Sequence, residues 1–296
     1  MQVFILGGTG SIGTASVSEL VKRSHQIIAL SRSEGSDQRL VSLGAEPTKG
    51  DLSDPADWVE TAMASDAIIQ VAGTFGDDMG DVDAVAMSAI VSAAEHQHCE
   101  TRLIYTGGCW LYGETGDELA TEAWPFNPIP AFAWMVAHAE KLLKSTNLST
   151  AVVHPAMVYH AEGGGVFNRY LTAAKAGQPI EIWGSAATRW PLIERTDLAR
   201  AYCDLVERPE LVGYFNAVAE EGVAVGRIAS SISQAYNSPQ EPVVRVVDDV
   251  ITENGAWAKG PTLDQQMSGH KLKTATGWEP LITDYRRSDF IGESDV

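Results

Sequence analysis

The fold is decided by residues 3–13, VFILGGTGSIG, near the start of the 296-residue chain. The apolar residues 3–6 predict a buried β-strand, and a helical pattern follows over residues 11–23. Between them Gly7, Gly10 and Gly13 form a GxxGxxG spacing. Glycine permits a tight turn and lets the backbone approach a pyrophosphate, whose charge is stabilised by the free amides of a helix N-terminus. The stretch therefore predicts a strand, turn and helix that bind a dinucleotide.

The same alternation of strand and helix continues through the first half of the chain. Further strands are predicted over residues 26–30, 46–49, 67–71, 102–105 and 150–154, and further helices over residues 55–63, 82–95 and 131–145. Parallel neighbours need long crossovers, so these six strands predict an α/β fold with a Rossmann-type doubly wound parallel sheet. We expect a dinucleotide-binding core over residues 1–155, to which later segments return. Residues 156–296 are then a smaller C-terminal substrate-binding part without a clear linker.

Charge and composition exclude several classes of protein. The chain has 21 Lys and Arg against 39 Asp and Glu, a net charge of −18, and its basic residues are scattered, which disfavours binding to nucleic acid and to anionic membranes. Apolar stretches are interrupted within about ten residues, short of the roughly twenty of a spanning helix. Met1 is followed by apolar residues without a basic region or a cleavage site, so we expect a cytoplasmic protein. No metal site is expected, because the His-rich residues 95–99 lack the spacing of ligands on one helix face.

The end of the second predicted strand indicates which dinucleotide is bound. It reads Ser31-Arg32-Ser33, with no acid to accept a hydrogen bond from a ribose hydroxyl. A guanidinium flanked by hydroxyls suits the 2′-phosphate of NADP, so NADP is favoured over NAD, although a solvated surface arginine is the alternative. The residues predicted to bind the cofactor from these patterns are Gly7, Thr9, Gly10, Ser11, Ile12, Gly13, Ser31, Arg32, Asp51, Leu52, Val71, Ala72 and Gly73.

Several further motifs give the chain a family resemblance. Residues 105–108 read YTGG and lead to LYG at 111–113, residues 154–159 read HPAMVY, residues 194–199 read ERTDLA, and residues 276–280 read TGWEP. Together with the glycine motif, the sequence resembles the extended short-chain dehydrogenase/reductase family, which includes sugar-nucleotide epimerases and dehydratases. The resemblance implies that Pro155 and Val158 also border the cofactor. It also implies a possible homodimer, since relatives pair through the helices that correspond to residues 82–95 and 131–145.

The catalytic positions of that family hold different residues in this chain. Its members use a Tyr whose pKa is lowered by a Lys four residues later, and a Ser or Thr that positions the substrate oxygen. Alignment on Pro130 and Glu140 places Phe132 and Val136 at the Tyr and Lys positions, and Gly108 falls at the Ser/Thr position. None of these residues transfers a proton, so the usual acid-base chemistry of the family cannot operate.

Other groups are candidates for the missing proton donor. The hydroxyls of Thr106, Tyr112 and Tyr159 belong to segments that border the active site in the family, and His160 follows the last of them. Each has a structural alternative: Thr106 can bond backbone at the end of its strand, and the tyrosines can be packing aromatics. Phe132, Met135 and Val136 share the face of the predicted helix that carries the catalytic residues in the family, and this apolar face favours a substrate less polar than a sugar nucleotide. The candidates for a clamp on a charged substrate are Arg169, Arg189 and Arg195.

Three functions are compatible with these observations. The first is an NAD(P)-dependent oxidoreductase that acts on a small organic substrate with a non-standard proton donor. The second is a non-catalytic NADP-binding redox sensor, which the missing catalytic residues favour. The third is a lyase, isomerase or epimerase that works without net redox change. In each case the expected ligands are small molecules, and neither nucleic acid nor membrane is an expected partner.

Overall fold

Residues 1–73 and 76–291 are described by the computed structural model, which confirms the predicted α/β fold. In this part of the chain the strands are β1 (Gln2–Leu6), β2 (Gln26–Ser31), β3 (Glu46–Lys49), β4 (Ala67–Gln70), β5 (Thr101–Thr106), β6 (Leu148–Pro155), β7 (Met157–Tyr159), β8 (Glu181–Trp183), β9 (Arg189–Glu194), β10 (Gly213–Ala217), β11 (Glu220–Ala224) and β12 (Val243–Arg245). The largest sheet has the order β10-β6-β5-β4-β1-β2-β3. Its strands β1 to β6 pair in parallel, which is the Rossmann-type arrangement.

Consecutive strands from β1 to β6 are connected by helices, as a doubly wound sheet requires. These helices are α1 (Ser11–Lys22), α2 (Glu34–Ser42), α3 (Val59–Met63), α4 (Met79–Ala94) and α5 (Trp134–Leu143). The helices that follow β6 are α6 (Gly165–Lys175), α7 (Arg195–Val206), α8 (Val225–Ala235), α9 (Val247–Asn254) and α10 (His270–Thr276). Within residues 1–73 and 76–291, no helix combines the length and the apolar character that crossing a membrane requires.

The chain forms two compact units. The first unit consists of Met1–Gly107, Trp134–Val153 and Leu198–Phe215, and the second consists of Gly108–Ala133, His154–Asp197 and the chain from Asn216 onward. The predicted division into residues 1–155 and 156–296 stays a prediction.

The core of the first unit explains why its strands form. Apolar side chains of β1, β2, β4, β5 and β6 pack with those of α3, α4 and α5 into one cluster. The Phe4 ring stacks on Trp58 with centroids 6.0 Å apart, and both side chains are buried. Since a strand covered on both faces must be apolar throughout, the continuous apolar runs of β1 and β4 follow from this burial.

The second unit has small sheets and an aromatic core. Its sheets have the orders β11-β9-β7 and β12-β8. Phe167 packs edge-on against Trp190 and Phe290, with ring centroids 5.7 and 5.3 Å apart. The Trp190 indole donates a hydrogen bond to the Pro261 carbonyl at 2.9 Å, which satisfies its buried polar atom.

Three details of the predicted elements were wrong. The large sheet has a seventh strand, β10, whereas six strands were predicted from the sequence. Strand β10 pairs with β6, which lies far away along the chain, so no local sequence pattern reveals this pairing. Helix α2 lies in a segment for which the sequence predicts no helix. The segments predicted as helices over residues 55–63 and 131–145 each begin with a separate 3₁₀ turn, Pro55–Asp57 and Pro130–Phe132, as is common where proline opens a helix.

Candidate functional site

The glycine-rich loop between β1 and α1 is closed by contacts that only glycine permits. Gly7 has φ +91°, and a Cβ on it would lie 2.7 Å from the Cα and N atoms of Ala72. A Cβ on Gly13 would lie 2.0 Å from the Gly7 carbonyl oxygen. The Gly10 amide donates to that same oxygen at 3.0 Å. The loop backbone is therefore folded against itself and against the segment after β4, as a close-fitting pyrophosphate cradle requires.

The N-terminus of α1 is open to an anion. Its N-cap residue is Gly10, which has no side chain that could cap the helix, and the first turn of α1 has no acidic residue. The amides of the first turn and the positive end of the helix dipole are thus available to a negatively charged ligand. Gly10 and Ser11 are exposed and Thr9 and Ile12 are half-buried, so the predicted loop residues lie where a pyrophosphate can reach them. The loop fits the dinucleotide that the sequence predicts.

The end of β2 places an arginine beside an aspartate. The Arg32 side chain is 69% exposed, and its Nη1 lies 3.7 Å from Asp51 Oδ2. Hydrogen bonds from the hydroxyl and amide of Ser53 lower the pKa of Asp51. Ser31 is buried and donates to the Ser33 carbonyl, whereas Ser33 caps α2. The guanidinium is held only loosely, so it remains available to a phosphate.

The predicted segment Val71, Ala72 and Gly73 follows β4 directly and faces the glycine loop. The Val71 amide donates to the Leu6 carbonyl at 3.0 Å, which ties the segment to the end of β1. Ala72 packs against the core cluster, as does Leu52 after β3.

The Thr106 hydroxyl is engaged at the end of β5. It donates to the Gln70 carbonyl at 2.6 Å and lies 2.7 Å from the hydroxyl of Tyr202. Because its one proton goes to the carbonyl, the Tyr202 phenol is the donor in the second bond. These contacts match the structural alternative for Thr106, and its catalytic role stays a prediction.

In the second unit, Gly108 and Tyr112 contact the same buried histidine. The Gly108 amide donates to His154 Nδ1 at 3.2 Å, and burial lowers the pKa of His154 to about 3, so the ring is neutral. The Tyr112 ring packs edge-on against His154, and its hydroxyl donates to Asn216 Oδ1 at 2.7 Å. Tyr112 is 1% exposed. The Tyr112 hydroxyl is therefore engaged in the buried hydrogen bond to Asn216, and its role in proton transfer stays a prediction.

Tyr159 and His160 follow Pro155 and Val158 along the chain. Tyr159 is fully buried, its ring packs on Phe290 with centroids 5.2 Å apart, and burial raises the pKa of its phenol. His160 Nδ1 lies 2.6 Å from Glu162, while burial lowers the pKa of the imidazole. Pro155 ends β6, and Val158 pairs with Ile193 in the register of β7 and β9. Tyr159 thus has the surroundings of a packing aromatic, and its candidacy as a proton donor stays a prediction.

Phe132, which the sequence predicts at the position of the family tyrosine, belongs to an aromatic pair. The half-buried rings of Phe132 and Trp110 have centroids 5.6 Å apart, and the Trp110 ring lies against Gly260, where a Cβ would come within 2.5 Å of it. In the first unit, Val136 is a half-buried residue of α5. These side chains make apolar surface and supply no proton.

The three arginines predicted as clamps are each held by other side chains of the second unit. Arg169 stacks on the Trp183 ring at 3.4 Å from its centroid, Arg189 forms a two-bond ion pair with Asp264, and Arg195 pairs with Glu162 at 3.1 Å. A substrate anion would have to compete with these partners. In the part of the chain that the structure describes, no group of three or more His, Cys, Asp or Glu side chains is arranged to hold a metal ion.

Comparison with known proteins agrees with this geometry. The family model described as the NAD dependent epimerase/dehydratase family matches residues 3–217. The chain belongs to the NAD-dependent epimerase/dehydratase family. Among curated relatives, an uncharacterized protein of Schizosaccharomyces pombe is 26% identical over 96% of this chain and 98% of its own length.

Solved structures of epimerase/dehydratase proteins share the fold. A Thermus thermophilus UDP-glucose 4-epimerase in complex with NAD has a TM-score of 0.81 and 19% identity, and the match covers 98% of this chain and 97% of the epimerase. A human epimerase family protein with NADPH has a TM-score of 0.78 and 20% identity, and the match covers 98% of both chains.

The first unit of this epimerase/dehydratase family member contains a buried polar cluster that is not predicted from its sequence. Asp83 on α4 accepts hydrogen bonds from Gln70, Tyr105 and His138. A signal was present in Gln70, which ends a run of apolar strand residues, whereas Asp83 follows Asp81 and resembles one more acid at a helix start. A buried polar group among apolar neighbours must find a partner, but the sequence does not name it.

Proposed function

We propose that this protein is an NAD(P)(H)-binding oxidoreductase of the extended short-chain dehydrogenase/reductase type that acts on a small organic substrate. The observation that carries the proposal is the glycine loop, where a Cβ on Gly13 would lie 2.0 Å from the Gly7 carbonyl beside an uncapped helix N-terminus. In dinucleotide-binding glycine motifs, this close packing of helix and strand accompanies a backbone that can approach a pyrophosphate. The dinucleotide, when bound, supplies or accepts the hydride.

The cofactor that we propose is NADP. The exposed Arg32 guanidinium is the donor that would bind a 2′-phosphate, and the 3.7 Å distance to Asp51 leaves it free to turn. An acid at the end of β2, which would favour NAD, is absent from this chain. The human epimerase family protein with NADPH has the same fold and is compatible with this choice.

The proton donor in this proposal is not the family tyrosine. Phe132 carries no proton, so a hydroxyl elsewhere or a substrate-bound water must act. Tyr112 and Tyr159 are buried and Thr106 is engaged with backbone, so a water held by the substrate is the donor that requires least rearrangement. The apolar pair of Phe132 and Trp110 favours a substrate less polar than a sugar nucleotide.

A second candidate function is a non-catalytic NADP-binding redox sensor. It is favoured by the hydroxyl contacts: Thr106 bonds the Gln70 carbonyl, and Tyr112 bonds Asn216 in the buried interior. In such a protein the dinucleotide would bind without turnover, and its redox state would be read by a partner. A lyase, isomerase or epimerase without net redox change is the remaining alternative, and turnover experiments separate it from the first two.

The first test is a tryptophan-fluorescence titration with NADPH and NADH in parallel. Arg32→Ala is expected to weaken NADPH binding by about tenfold or more, the worth of one charge-assisted contact, and to leave NADH binding unchanged. Lys22→Ala is the matched control, because it removes one exposed positive charge from the far end of α1. If the wild-type protein binds neither dinucleotide, the proposal and the sensor alternative are both wrong.

The second test distinguishes the functions once binding is established. Carbonyl and enone substrates are screened while NADPH consumption is followed by its absorbance. Consumption coupled to product supports the oxidoreductase, and product without consumption supports the lyase, isomerase or epimerase. Binding without turnover of any substrate in the screen supports the sensor.

A further inference from the structure

A buried carboxylate in the first unit gathers three hydrogen-bond donors. Asp83 on α4 is 6% exposed. Gln70 Nε2 donates to its Oδ1 at 2.8 Å, and the Tyr105 hydroxyl donates to its Oδ2 at 2.8 Å. His138 Nδ1 lies 2.7 Å from the same Oδ2. Since a buried carboxylate is costly unless its lone pairs are used, this cluster is held in one arrangement.

The arrangement determines the orientation of the Gln70 amide. The Gln70 nitrogen must face the carboxylate of Asp83, which only accepts. Its oxygen then faces the backbone amide of Ala72, which donates to it at 2.9 Å. The opposite orientation would place a donor against a donor and an acceptor against an acceptor. Asp83 thereby controls, through Gln70, a hydrogen bond to the backbone of the segment that follows β4.

That segment is the wall against which the glycine loop rests. A Cβ on Gly7 would lie 2.7 Å from the Cα and N atoms of Ala72, so the two backbones are in direct contact. The Gln70 carbonyl is also held, by the Thr106 hydroxyl at 2.6 Å. Any shift of Ala72 is therefore transmitted to the loop, because close-packed backbones cannot move independently.

We infer that Gln70 and Asp83 are positioning residues for the dinucleotide: they hold the amide of Ala72, and with it residues 71–73, in the conformation that the glycine loop needs to bind a pyrophosphate. This inference rests on the proposed function. It assigns the polar side chains behind the loop a role in affinity, although neither touches the ligand.

The test compares two variants that each remove one donor from the same carboxylate. Gln70→Met also removes the acceptor of the Ala72 amide, whereas Tyr105→Phe leaves the Gln70 bonds intact. Gln70→Met is expected to weaken NADPH binding by about tenfold, as the binding-competent conformation becomes a minor one. Tyr105→Phe is expected to change the dissociation constant by no more than about twofold, the additivity error for independent sites. Thermal melting of both variants accounts for any general loss of stability.

A charge exchange gives a stringent second measurement. Gln70→Glu places two carboxylates against each other and is expected to weaken binding. Adding Asp83→Asn lets the new amide donate to the new carboxylate, which still accepts from Ala72, while the amide oxygen accepts from Tyr105 and His138. The double variant is therefore expected to regain most of the wild-type affinity.

Hydrogen exchange of the ligand-free protein supplies a readout that does not need the dinucleotide. Peptides that include residues 71–73 are expected to lose protection in Gln70→Met and to keep it in Tyr105→Phe. If the wild-type protein binds no dinucleotide, the proposed function fails and this inference with it. If the wild-type protein binds NADPH, two outcomes overturn this inference alone. One is a folded Gln70→Met variant with unchanged NADPH affinity and unchanged protection of residues 71–73. The other is a double variant that binds NADPH no better than Gln70→Glu.

Discussion

Replacement of Gly13 by alanine is the most direct test of the glycine loop. Gly13 is buried in the first turn of α1, and the added methyl group would lie 2.0 Å from the Gly7 carbonyl oxygen, 2.8 Å from its carbon and 2.9 Å from Gly8 Cα. All three atoms belong to the backbone, so no side-chain rotation can relieve the overlap. To reach ordinary contact, the loop must retreat by about 1 Å or more.

Two effects oppose each other in Gly13→Ala. Alanine in a helix is favoured over glycine by up to about 1 kcal/mol. Overpacking of a tight backbone contact costs about 3 kcal/mol, at the upper end of the usual range because neither partner can yield. The net expectation is a free energy of unfolding lower by about 2 kcal/mol, which lowers Tm by roughly 3 °C for a chain of this length. NADPH binding should fall by at least about tenfold for each charge-assisted bond that the displaced loop loses.

Differential scanning fluorimetry and the NADPH titration measure both effects. Gly10→Ala and Gly108→Ala are the controls for stability. In the first, the new methyl group lies 3.3 Å from the same Gly7 oxygen, and in the second no atom lies within 4 Å. Both are expected to melt within about 1 °C of the wild type, since surface changes are worth less than about 0.5 kcal/mol. A Gly13→Ala variant that melts and binds like the wild type would refute the reasoning.

Three further predictions concern stability. Burial raises the pKa of Glu220 from its ordinary 4.5 to about 7, so the stability that the protonated side chain contributes is present below pH 4.5 and is lost as the pH rises to 7. Between these pH values Tm should decline less in Glu220→Gln than in the wild type. Parallel profiles of Tm against pH would contradict the raised pKa. Gly35→Ala, at an exposed position of α2 where the methyl group meets no atom within 4 Å, should stabilise the protein by about 0.5 kcal/mol in urea unfolding. The Asp197 carboxylate is 1% exposed and accepts hydrogen bonds from the backbone amides of Leu281 and Ile282 at 2.9 and 2.8 Å. Asp197→Asn should therefore lower the free energy of unfolding by about 2 kcal/mol in the same urea assay. An unchanged midpoint would show that these hydrogen bonds do not stabilise the fold.

The sequence by itself determined the fold class and the character of the cofactor loop. Apolar runs, glycine positions and helix periodicity are local signals, so β1, the GxxGxxG turn and α1 follow from contiguous residues 3–22. That Phe132, Val136 and Gly108 stand at the catalytic positions of the family stays a prediction from the sequence, and residue identity shows that none of the three carries a transferable proton.

Only the tertiary structure decided the rest, because it depends on contacts between distant parts of the chain. Strand β10 joins β6 from far along the sequence, and no local pattern names its partner. The hydroxyl of Thr106 is a plausible proton donor in the sequence, yet its bonds to Gln70 and Tyr202 arise from three separate elements. In the sequence Asp83 is one of several acids near the start of α4, and only folding surrounds it with donors. A buried polar group must be paired, and the fold alone chooses its partners.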